Sequence, residues 1–283
     1  MNNNALNGFA KKLLRAFQNG GYKLTMYIGV DGSQNQWVAA LVDRDQGKPT
    51  IRYVQVAQLE ELWAEYGAGC RKLLIDMPLG LSGGGKRRPD ELAMEFLGPA
   101  NKKRCFHAPS YDALAEWQRR QSADVKLTPQ ALYDAVNGFN VRDTGLKLTP
   151  PGYALVPRIA NVREFVLSLP DRSIALEAHP ELCFMALSNR DSFSSKHRLP
   201  GIFERLAVIQ TRFPNFIEYV ASNGSLVWSG DMSAKIDDVL DATVLALTAQ
   251  RIHENPDRLV RLTNDPPMDD PTGIPIEIVY AKL

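Results

Sequence analysis

The first part of the chain alternates short apolar runs with polar turns, a pattern typical of β-strands. Residues 27–31 (YIGVD) and 37–42 (WVAALV) are apolar runs of strand length, and residues 51–56 (IRYVQV) alternate apolar and polar positions as a half-buried strand does. The turns GSQNQ and DRDQGKP separate the three runs. The pattern therefore predicts a three-stranded antiparallel meander.

Helical periodicity dominates the rest of the chain, interrupted by further short strands. Residues 58–66 predict a helix, and residues 72–75 and 174–176 predict buried strands that run into Asp76 and Glu177. The element order β-β-β-α-β followed by helices indicates an α/β fold. The remaining predicted elements are helices around residues 155–169, 181–187, 201–212 and 234–253 and a last strand at 276–280.

The chain divides into an N-terminal extension and a single domain. Residues 1–25 carry apolar side chains at helical spacing, with basic residues and no acidic residue between them. We interpret them as an amphipathic helix docked on the domain; the alternatives are an organellar presequence and an interfacial helix. Residues 26–283 are the predicted domain, in which residues 82–154, rich in Gly, Pro and basic residues, form a helical insertion.

Composition excludes several classes of protein. The chain has 283 residues, 45% of them hydrophobic and 23% charged, which is typical of a globular protein. The net charge of +1 predicts neither a nucleic-acid nor a membrane partner, so any such partner must bind through local clusters. No apolar run approaches the ~20 residues of a membrane-spanning helix. Three cysteines without a metal-binding spacing indicate reduced thiols in a cytoplasmic protein.

Acidic residues stand at the ends of three predicted strands. Asp31 follows the first strand, Asp76 the strand after the first helix, and Glu177 the later strand. Strand ends are where α/β sheets hold their ligands. The sequence therefore predicts that these carboxylates meet at one edge of the sheet.

The late helix KIDDVLDATVLALTAQ adds three aspartates in its first turns. At ~100° per residue, Asp241 lies on the flank of the apolar stripe, with Asp238 one turn back on its exposed side. A purely structural alternative is that these carboxylates complement the positive end of the helix dipole. This alternative accounts for Asp237 or Asp238 better than for Asp241.

A cluster of carboxylates calls for a cation. Carboxylates held together repel one another and raise one another's pKa unless a positive charge lies between them. Oxygen ligands suit a hard divalent cation, so we predict Mg²⁺ or Mn²⁺ as the cofactor. Two such ions could also clamp the attacking and leaving oxygens of a phosphodiester.

Seven motifs distributed over the chain carry a family resemblance. They are GVDGSQNQWVAA (29–40), IDMPLGL (75–81), RRPDELAMEFLG (87–98), CFHAPSYDAL (105–114), LEAHPELCF (176–184), SKHRLPGIFERL (195–206) and DDVLDA (237–242). Together they resemble a family of uncharacterised proteins, domain of unknown function 429 (DUF429), described as predicted RNase H-like nucleases. The late helix is also similar to the D-x-x-D-A helix of Holliday-junction resolvases.

The resemblance implies a fold and a set of metal ligands. The implied fold is a ribonuclease H-like mixed sheet of three antiparallel strands followed by parallel strands, flanked by helices. Asp31, Asp76, Glu177 and Asp241 are the implied catalytic metal ligands, with Asp238 as an auxiliary ligand.

The implied reaction is the hydrolysis of phosphodiesters in DNA or RNA by a metal-bound water. His179, two residues after Glu177, is a candidate to shuttle a proton or to hold a phosphate. The alternative is that His179 orders its own loop, together with Pro180, through hydrogen bonds.

Basic clusters suggest how nucleic acid is bound. The triplets KRR (86–88) and KKR (102–104) flank one predicted helix, and a further basic group lies at residues 196–205. Such clusters track a phosphate backbone, although they are also common on solvated surfaces. The residues predicted to contact substrate are Arg87, Arg88, Lys196 and Arg205.

Two other functions remain as alternatives. An actin-like or sugar-kinase-like phosphotransferase has a related fold, and GVDGSQNQW resembles its first phosphate-binding hairpin, but a second such hairpin is missing. A non-catalytic binding protein with the ribonuclease H fold is the other alternative. Departures from the family pattern at Met94, Glu95, Asn161 and Arg163 favour it. The sequence leaves the oligomeric state open, a homodimer being one alternative.

Overall fold

The computed structural model describes residues 25–45, 47–124, 126–188, 190–229 and 232–283. Over these residues the chain is an α/β protein with one mixed five-stranded sheet flanked by helices, which confirms the predicted fold class at that level. The extension predicted for residues 1–25 lies outside the described residues, apart from Thr25.

The main sheet orders its strands β3-β2-β1-β4-β5. They are β1 (Met26–Ser33), β2 (Gln36–Asp45), β3 (Lys48–Val56), β4 (Cys70–Ile75) and β5 (Ala175–Glu177). β2 pairs antiparallel with β1 and β3, whereas β4 runs parallel to β1 and β5 runs parallel to β4. Val30 lies opposite Ile75, and Ile75 opposite Glu177, so the carboxyl ends of β1, β4 and β5 share one edge.

The helices surround this sheet. They are α1 (Leu59–Tyr66), α2 (Arg88–Asn101), α3 (Tyr111–Gln121), α4 (Pro129–Thr144), α5 (Pro150–Ala154), α6 (Val156–Ser168), α7 (Pro180–Ser188), α8 (Leu199–Arg212), α9 (Phe216–Ser222), α10 (Gly224–Val227) and α11 (Ile236–Glu254). The helices predicted near residues 58–66, 155–169, 181–187, 201–212 and 234–253 are α1, α6, α7, α8 and α11.

A separate pair of strands follows α11. β6 (Leu259–Thr263) and β7 (Glu277–Ala281) pair antiparallel with each other. β7 is the predicted last strand, and it touches the main sheet through a bridge between Val279 and Ala178. β6 was not predicted, because its sequence LVRLT is short and has no regular alternation of apolar and polar residues.

Helices cover both faces of the main sheet, which is why its strands are apolar on both sides. Tyr27 belongs to the core beneath α7, α8 and α11, whereas Ile28 and Val30 belong to the core beneath α1 and α6. Successive side chains of a strand point to opposite faces. Gly29 and Asp31 therefore lie on the same face as Tyr27, toward α11.

Gly29 allows α11 to pack directly against the backbone of β1. A Cβ atom at Gly29 would lie 2.2 Å from Ala242 O and 2.3 Å from Ala246 N. α11 contacts β1, β2 and β4, and also α7 and α8, so residues 239–250 are buried without interruption. The expected one-sided amphipathic helix is thus wrong, because α11 is enclosed over these residues; Asp241, predicted at the edge of the buried stripe, is buried.

The segment 82–154, interpreted as a helical insertion, contains α2 to α5. α3, α4 and α5 begin after Ser110, Thr128 and Thr149, whose hydroxyls accept hydrogen bonds from backbone N–H groups in the first turn. α2 contributes to the core on the α11 face, and α3 and α4 to the core on the other face. The segment is therefore packed into the body of the protein.

Two expectations from the composition concern the state of the cysteines and the presence of membrane-spanning helices. Cys70, Cys105 and Cys183 all lie in the described part of the chain and are free thiols. Among the helices of the described residues, none has the length and apolar character needed to cross a bilayer.

Candidate functional site

Three of the predicted carboxylates meet on the α11 face of the sheet. Asp31 and Asp76 follow the paired residues Val30 and Ile75, and Asp76 N donates to Val30 O at 3.0 Å. The charge of Asp76 acts on Asp31, and α11 brings Asp241 close enough for its charge to interact with both. The close packing at Gly29 is what brings the helix, and with it Asp241, to this point.

The three aspartates are costly to ionise where they lie. Burial raises the pKa of Asp31 well above its usual value, and the charges of Asp76 and Asp241 raise it further. Burial also raises the pKa of Asp76, although Lys196 acts in the opposite direction. The pKa of Asp241 is raised to about 6, again mainly by burial and against the effect of Lys196.

A cavity of about 390 Å³ opens onto this cluster. Its lining includes Asp76, Arg104, Glu181, Lys196, His197 and Asp241. Asp31 is 7% exposed and lies outside the cavity lining. Solvent and a ligand therefore reach the cluster from the side of the loop between α7 and α8.

Lys196, on that loop, places its ammonium group among the aspartates. Lys196 Nζ lies 2.5 Å from Asp241 Oδ2 and 4.0 Å from Asp237 Oδ2. Burial lowers the pKa of Lys196, but the neighbouring carboxylates, Asp241 first, outweigh burial and raise this pKa above its usual value. The other carboxylate oxygen, Asp241 Oδ1, is buried and accepts no hydrogen bond from any described residue.

Glu177 does not join the cluster, which corrects its prediction as a metal ligand and catalytic residue. It pairs with Ile75 rather than with Asp76, and strand alternation therefore turns it to the opposite face of the sheet. There Glu177 Oε2 accepts hydrogen bonds from Leu79 N at 2.8 Å and from Arg87. Burial raises the pKa of Glu177 to about 8, against the opposing effect of Arg87.

Glu181, which sequence reasoning missed, lies at the cavity instead. It is the second glutamate of E-x-H-P-E and stands in the first turn of α7. Arg205 Nη2 donates to one of its carboxylate oxygens at 2.6 Å and Arg104 Nη1 to the other at 2.9 Å. Its charge raises the pKa of both Asp76 and Asp241. The sequence signal that could have identified Glu181 as a site residue is its position in the first turn of a predicted helix that follows a predicted strand.

His179 lines the cavity, but both of its ring nitrogens contact the backbone. Nδ1 accepts a hydrogen bond from Glu181 N at 3.2 Å, and Nε2 lies 3.1 Å from Arg104 O. These bonds place the proton on Nε2 and hold the start of α7 against the Arg104 segment. The arrangement favours the loop-ordering alternative over the proton shuttle.

Two of the four predicted substrate-contacting residues are buried. Arg205 has no exposed surface and Arg87 is 3% exposed, because each compensates buried carboxylates, which corrects their predicted role. Arg88 lies at the surface and pairs with two glutamates of its own helix. Lys196 lines the cavity, as a residue that contacts substrate must.

The aspartates at the start of α11 lie at the margin of the site. Asp238 is half-buried, and its charge raises the pKa of Asp31 more weakly than those of Asp76 and Asp241 do. Asp237 Oδ2 lies 3.3 Å from Nδ1 of the exposed His197. The predicted auxiliary ligand is therefore near the cluster without lining the cavity.

The donor atoms and the charge of the site suit one divalent cation. Among the residues that the structure describes, no three acidic, histidine or cysteine side chains already stand as a metal-ligand set. Arg104 and Arg205 compensate Glu181, and Lys196 offsets one of the three aspartates. Among the described residues, these four carboxylates and three cations sum to one net negative charge when all are ionised, and Asp237, whose Oδ2 lies 4.0 Å from Lys196 Nζ, adds a second. One hard cation with oxygen ligands would balance them, and Asp241 Oδ1 is a buried oxygen without a partner.

Comparison with sequence models of protein families identifies a family for this chain. The sequence model of a family described as "Protein of unknown function (DUF429)" matches residues 29–267. This span includes every residue of the cavity named above. Searches of curated proteins and of solved structures give no match.

Proposed function

The chain belongs to the DUF429 family of proteins of unknown function, as its motifs predicted, and we propose that it is a divalent-metal-dependent phosphodiester hydrolase acting on nucleic acid. The observation that carries the proposal is the clustering of Asp31, Asp76 and Asp241, from two strand ends and a helix, beside a cavity that Asp76 and Asp241 line. Buried acids with raised pKa values in a cleft are costly to the fold and are typical of functional sites.

The cofactor implied by the proposal is Mg²⁺ or Mn²⁺. Asp31, Asp76 and Asp241 are the residues that would hold it, and their oxygen donors and uncompensated charge fit one such ion. When bound, a divalent cation lowers the pKa of a coordinated water and stabilises charge on phosphate oxygens. Lys196 Nζ contacts Asp241 Oδ2, so Lys196 has to share or release this carboxylate when a cation binds to Asp241.

Basic residues on the cavity wall support an anionic substrate. Arg104, Lys196 and His197 line the cavity beside the aspartates. Lys102 and Lys103, directly before Arg104, are exposed and extend the positive surface outward. The triplet 102–104 is therefore the better candidate to follow a phosphate backbone, since Arg87 in the other triplet is buried.

The proposal includes a ribonuclease H-like fold. Its support is the strand order β3-β2-β1-β4-β5, with antiparallel pairing among β1, β2 and β3 and parallel pairing from β1 to β4 and β5. A late helix that packs on β1 and contributes a carboxylate, here α11 with Asp241, agrees with the same family resemblance. Fold alone does not carry the function, which rests on the cavity.

The test is a cleavage assay with wild type, Asp31→Asn and the control Asp134→Asn. Asp134 lies on α4 and hydrogen-bonds only to Gln130 among the described residues. We expect Mg²⁺- or Mn²⁺-dependent cleavage of single-stranded, duplex or branched DNA or RNA by wild type and Asp134→Asn. Asp31→Asn should be inactive while keeping its circular dichroism spectrum.

Inertness of the wild type on all these substrates with both metals would contradict the proposal. Metal-independent nucleic-acid binding without cleavage would favour a non-catalytic binding protein, and phosphoryl transfer from ATP would favour a phosphotransferase. The departure at Arg163 gives the non-catalytic alternative little support. Arg163 is buried on the opposite face of the sheet, where it pairs with Asp270 at 2.5 Å.

A further inference from the structure

We infer that Lys196 couples metal binding to substrate binding: its ammonium group competes with the divalent cation for Asp241 and exchanges this carboxylate for the substrate phosphate. The inference rests on the proposed function of the cavity. It concerns which cation, the Lys196 ammonium group or the metal ion, balances the Asp241 carboxylate before and after substrate binds.

The contact between Lys196 and Asp241 is the first part of the argument. Nζ lies 2.5 Å from Asp241 Oδ2, whereas Mg²⁺ binds carboxylate oxygens at about 2.0–2.1 Å. An ammonium group on Asp241 Oδ2 and a divalent cation on Oδ1 of the same carboxylate would still stand close together and repel each other strongly in a buried site. Lys196 therefore weakens cation binding for as long as it remains on Asp241.

The loop that carries Lys196 is anchored on both sides, so only the side chain has to move. Ser194 N donates to Glu204 Oε2 at 2.6 Å before it, and Arg198 N donates to Ser195 O at 3.0 Å after it. Gly201 packs so closely on this loop that a Cβ would lie 2.2 Å from Ser195 O. The flexible four-carbon stem of a lysine allows the ammonium group to turn while its backbone stays in place.

Substrate would bring Lys196 a further anionic partner in the cavity, in addition to Asp237, whose Oδ2 lies 4.0 Å from Nζ. The Lys196 side chain is 31% exposed and lines the same cavity as Arg104 and His197. A phosphodiester in this cavity would attract the ammonium group away from Asp241 and free the carboxylate for the cation. Each ligand would then favour the binding of the other, and thermodynamic linkage makes that effect reciprocal.

The test is calorimetric titration with Mn²⁺, with and without a phosphorothioate DNA oligonucleotide that resists cleavage. For the wild type we expect Mn²⁺ to bind several-fold more tightly when the oligonucleotide is present. Lys196→Met should bind Mn²⁺ alone about tenfold more tightly than wild type, which is about 1.4 kcal/mol. The oligonucleotide should change its Mn²⁺ affinity little. Lys196→Arg, which keeps the charge, should behave as wild type.

Lys72→Met is the matched control, because Lys72 is another half-buried lysine, donating to Ser173 O at 2.8 Å outside the cavity. Lys196→Gln replaces Lys196→Met should the latter fail to fold by circular dichroism. Unchanged or weaker Mn²⁺ binding by the neutral variants would overturn the inference and leave the proposed function standing. Absence of Mn²⁺ binding by wild type and variants alike would overturn both.

Discussion

At the residue scale, buried arginines compensate the carboxylates that surround the site. Arg205 on α8 binds Glu181 on α7, and its Nη1 also donates to Ser194 O at 3.1 Å in the loop that carries Lys196. Arg88 has the same chemistry, but its partners on its own helix are the half-buried Glu91 and the exposed Glu95. Burial, rather than residue type, therefore decides how much each ion pair contributes.

We expect Arg205→Met to lower the free energy of unfolding by about 3 kcal/mol, because it leaves Glu181 buried with Arg104 as its remaining partner. Arg88→Met should change it little. Urea unfolding followed by circular dichroism measures both values. Equal small effects of the two substitutions would show that Glu181 does not depend on Arg205 for its charge.

At the element scale, the packing of α11 on β1 assembles the site. Asp31 and Asp76 are brought together by strand pairing, whereas Asp241 depends on how closely a helix approaches the sheet. That approach leaves no room for a side chain at Gly29. Gly29 has no side chain of its own, yet it sets how close Asp241 on α11 comes to Asp31 on β1.

We expect Gly29→Ala to destabilise the protein by about 1–3 kcal/mol, since the added methyl group overpacks the interface and forces α11 away. Cleavage and Mn²⁺ affinity should fall with it, because Asp241 moves with α11. Gly84→Ala is the control, since a Cβ there meets nothing within 4 Å. Thermal unfolding and calorimetry measure the effects, and a fully stable Gly29→Ala would contradict the packing described here.

At the scale of the whole molecule, buried acids form two groups. Asp31, Asp76 and Asp241 lie on the α11 face, whereas Glu177 points to the opposite face and pairs with Arg87, which also binds Asp90 in the first turn of α2. Each group holds more carboxylates than cations among the described residues. The folded protein therefore binds protons more tightly than the unfolded chain does at neutral pH.

We expect the stability of the protein in EDTA to fall as pH rises from about 5 to about 8. The folded-state pKa values are raised, to about 6 for Asp241 and about 8 for Glu177, whereas the unfolded chain loses the same protons near its ordinary values. Stability is thus fully present below the unfolded pKa values and is lost through the folded ones. Glu177→Gln should flatten the upper part of the melting-temperature curve, and the exposed Glu61→Gln should not. Curves of equal slope for the two variants would contradict this assignment.

The E-x-H-P-E motif illustrates how far residue patterns lead. Its position after a strand and before a helix was evident from apolar spacing, and Glu177 was recognised as a candidate whereas Glu181 was not. Which glutamate reaches the cavity depends on strand register, because a shift of one residue exchanges the two faces of a sheet. Glu177 and Glu181 could therefore not be told apart before β5 was seen paired with β4.

Local physical chemistry determined every strand except β6, the positions of α1, α6, α7, α8 and α11, the α/β class and the choice of Asp31, Asp76 and Asp241 as candidate site residues. These depend on the periodicity of neighbouring residues and on residue type alone. The tertiary structure decided that Arg87 and Arg205 are interior, that Glu177 faces away and that Lys196 contacts Asp241. Those facts depend on which distant segments pack together, and electrostatic roles follow from burial and distance, which no local pattern contains.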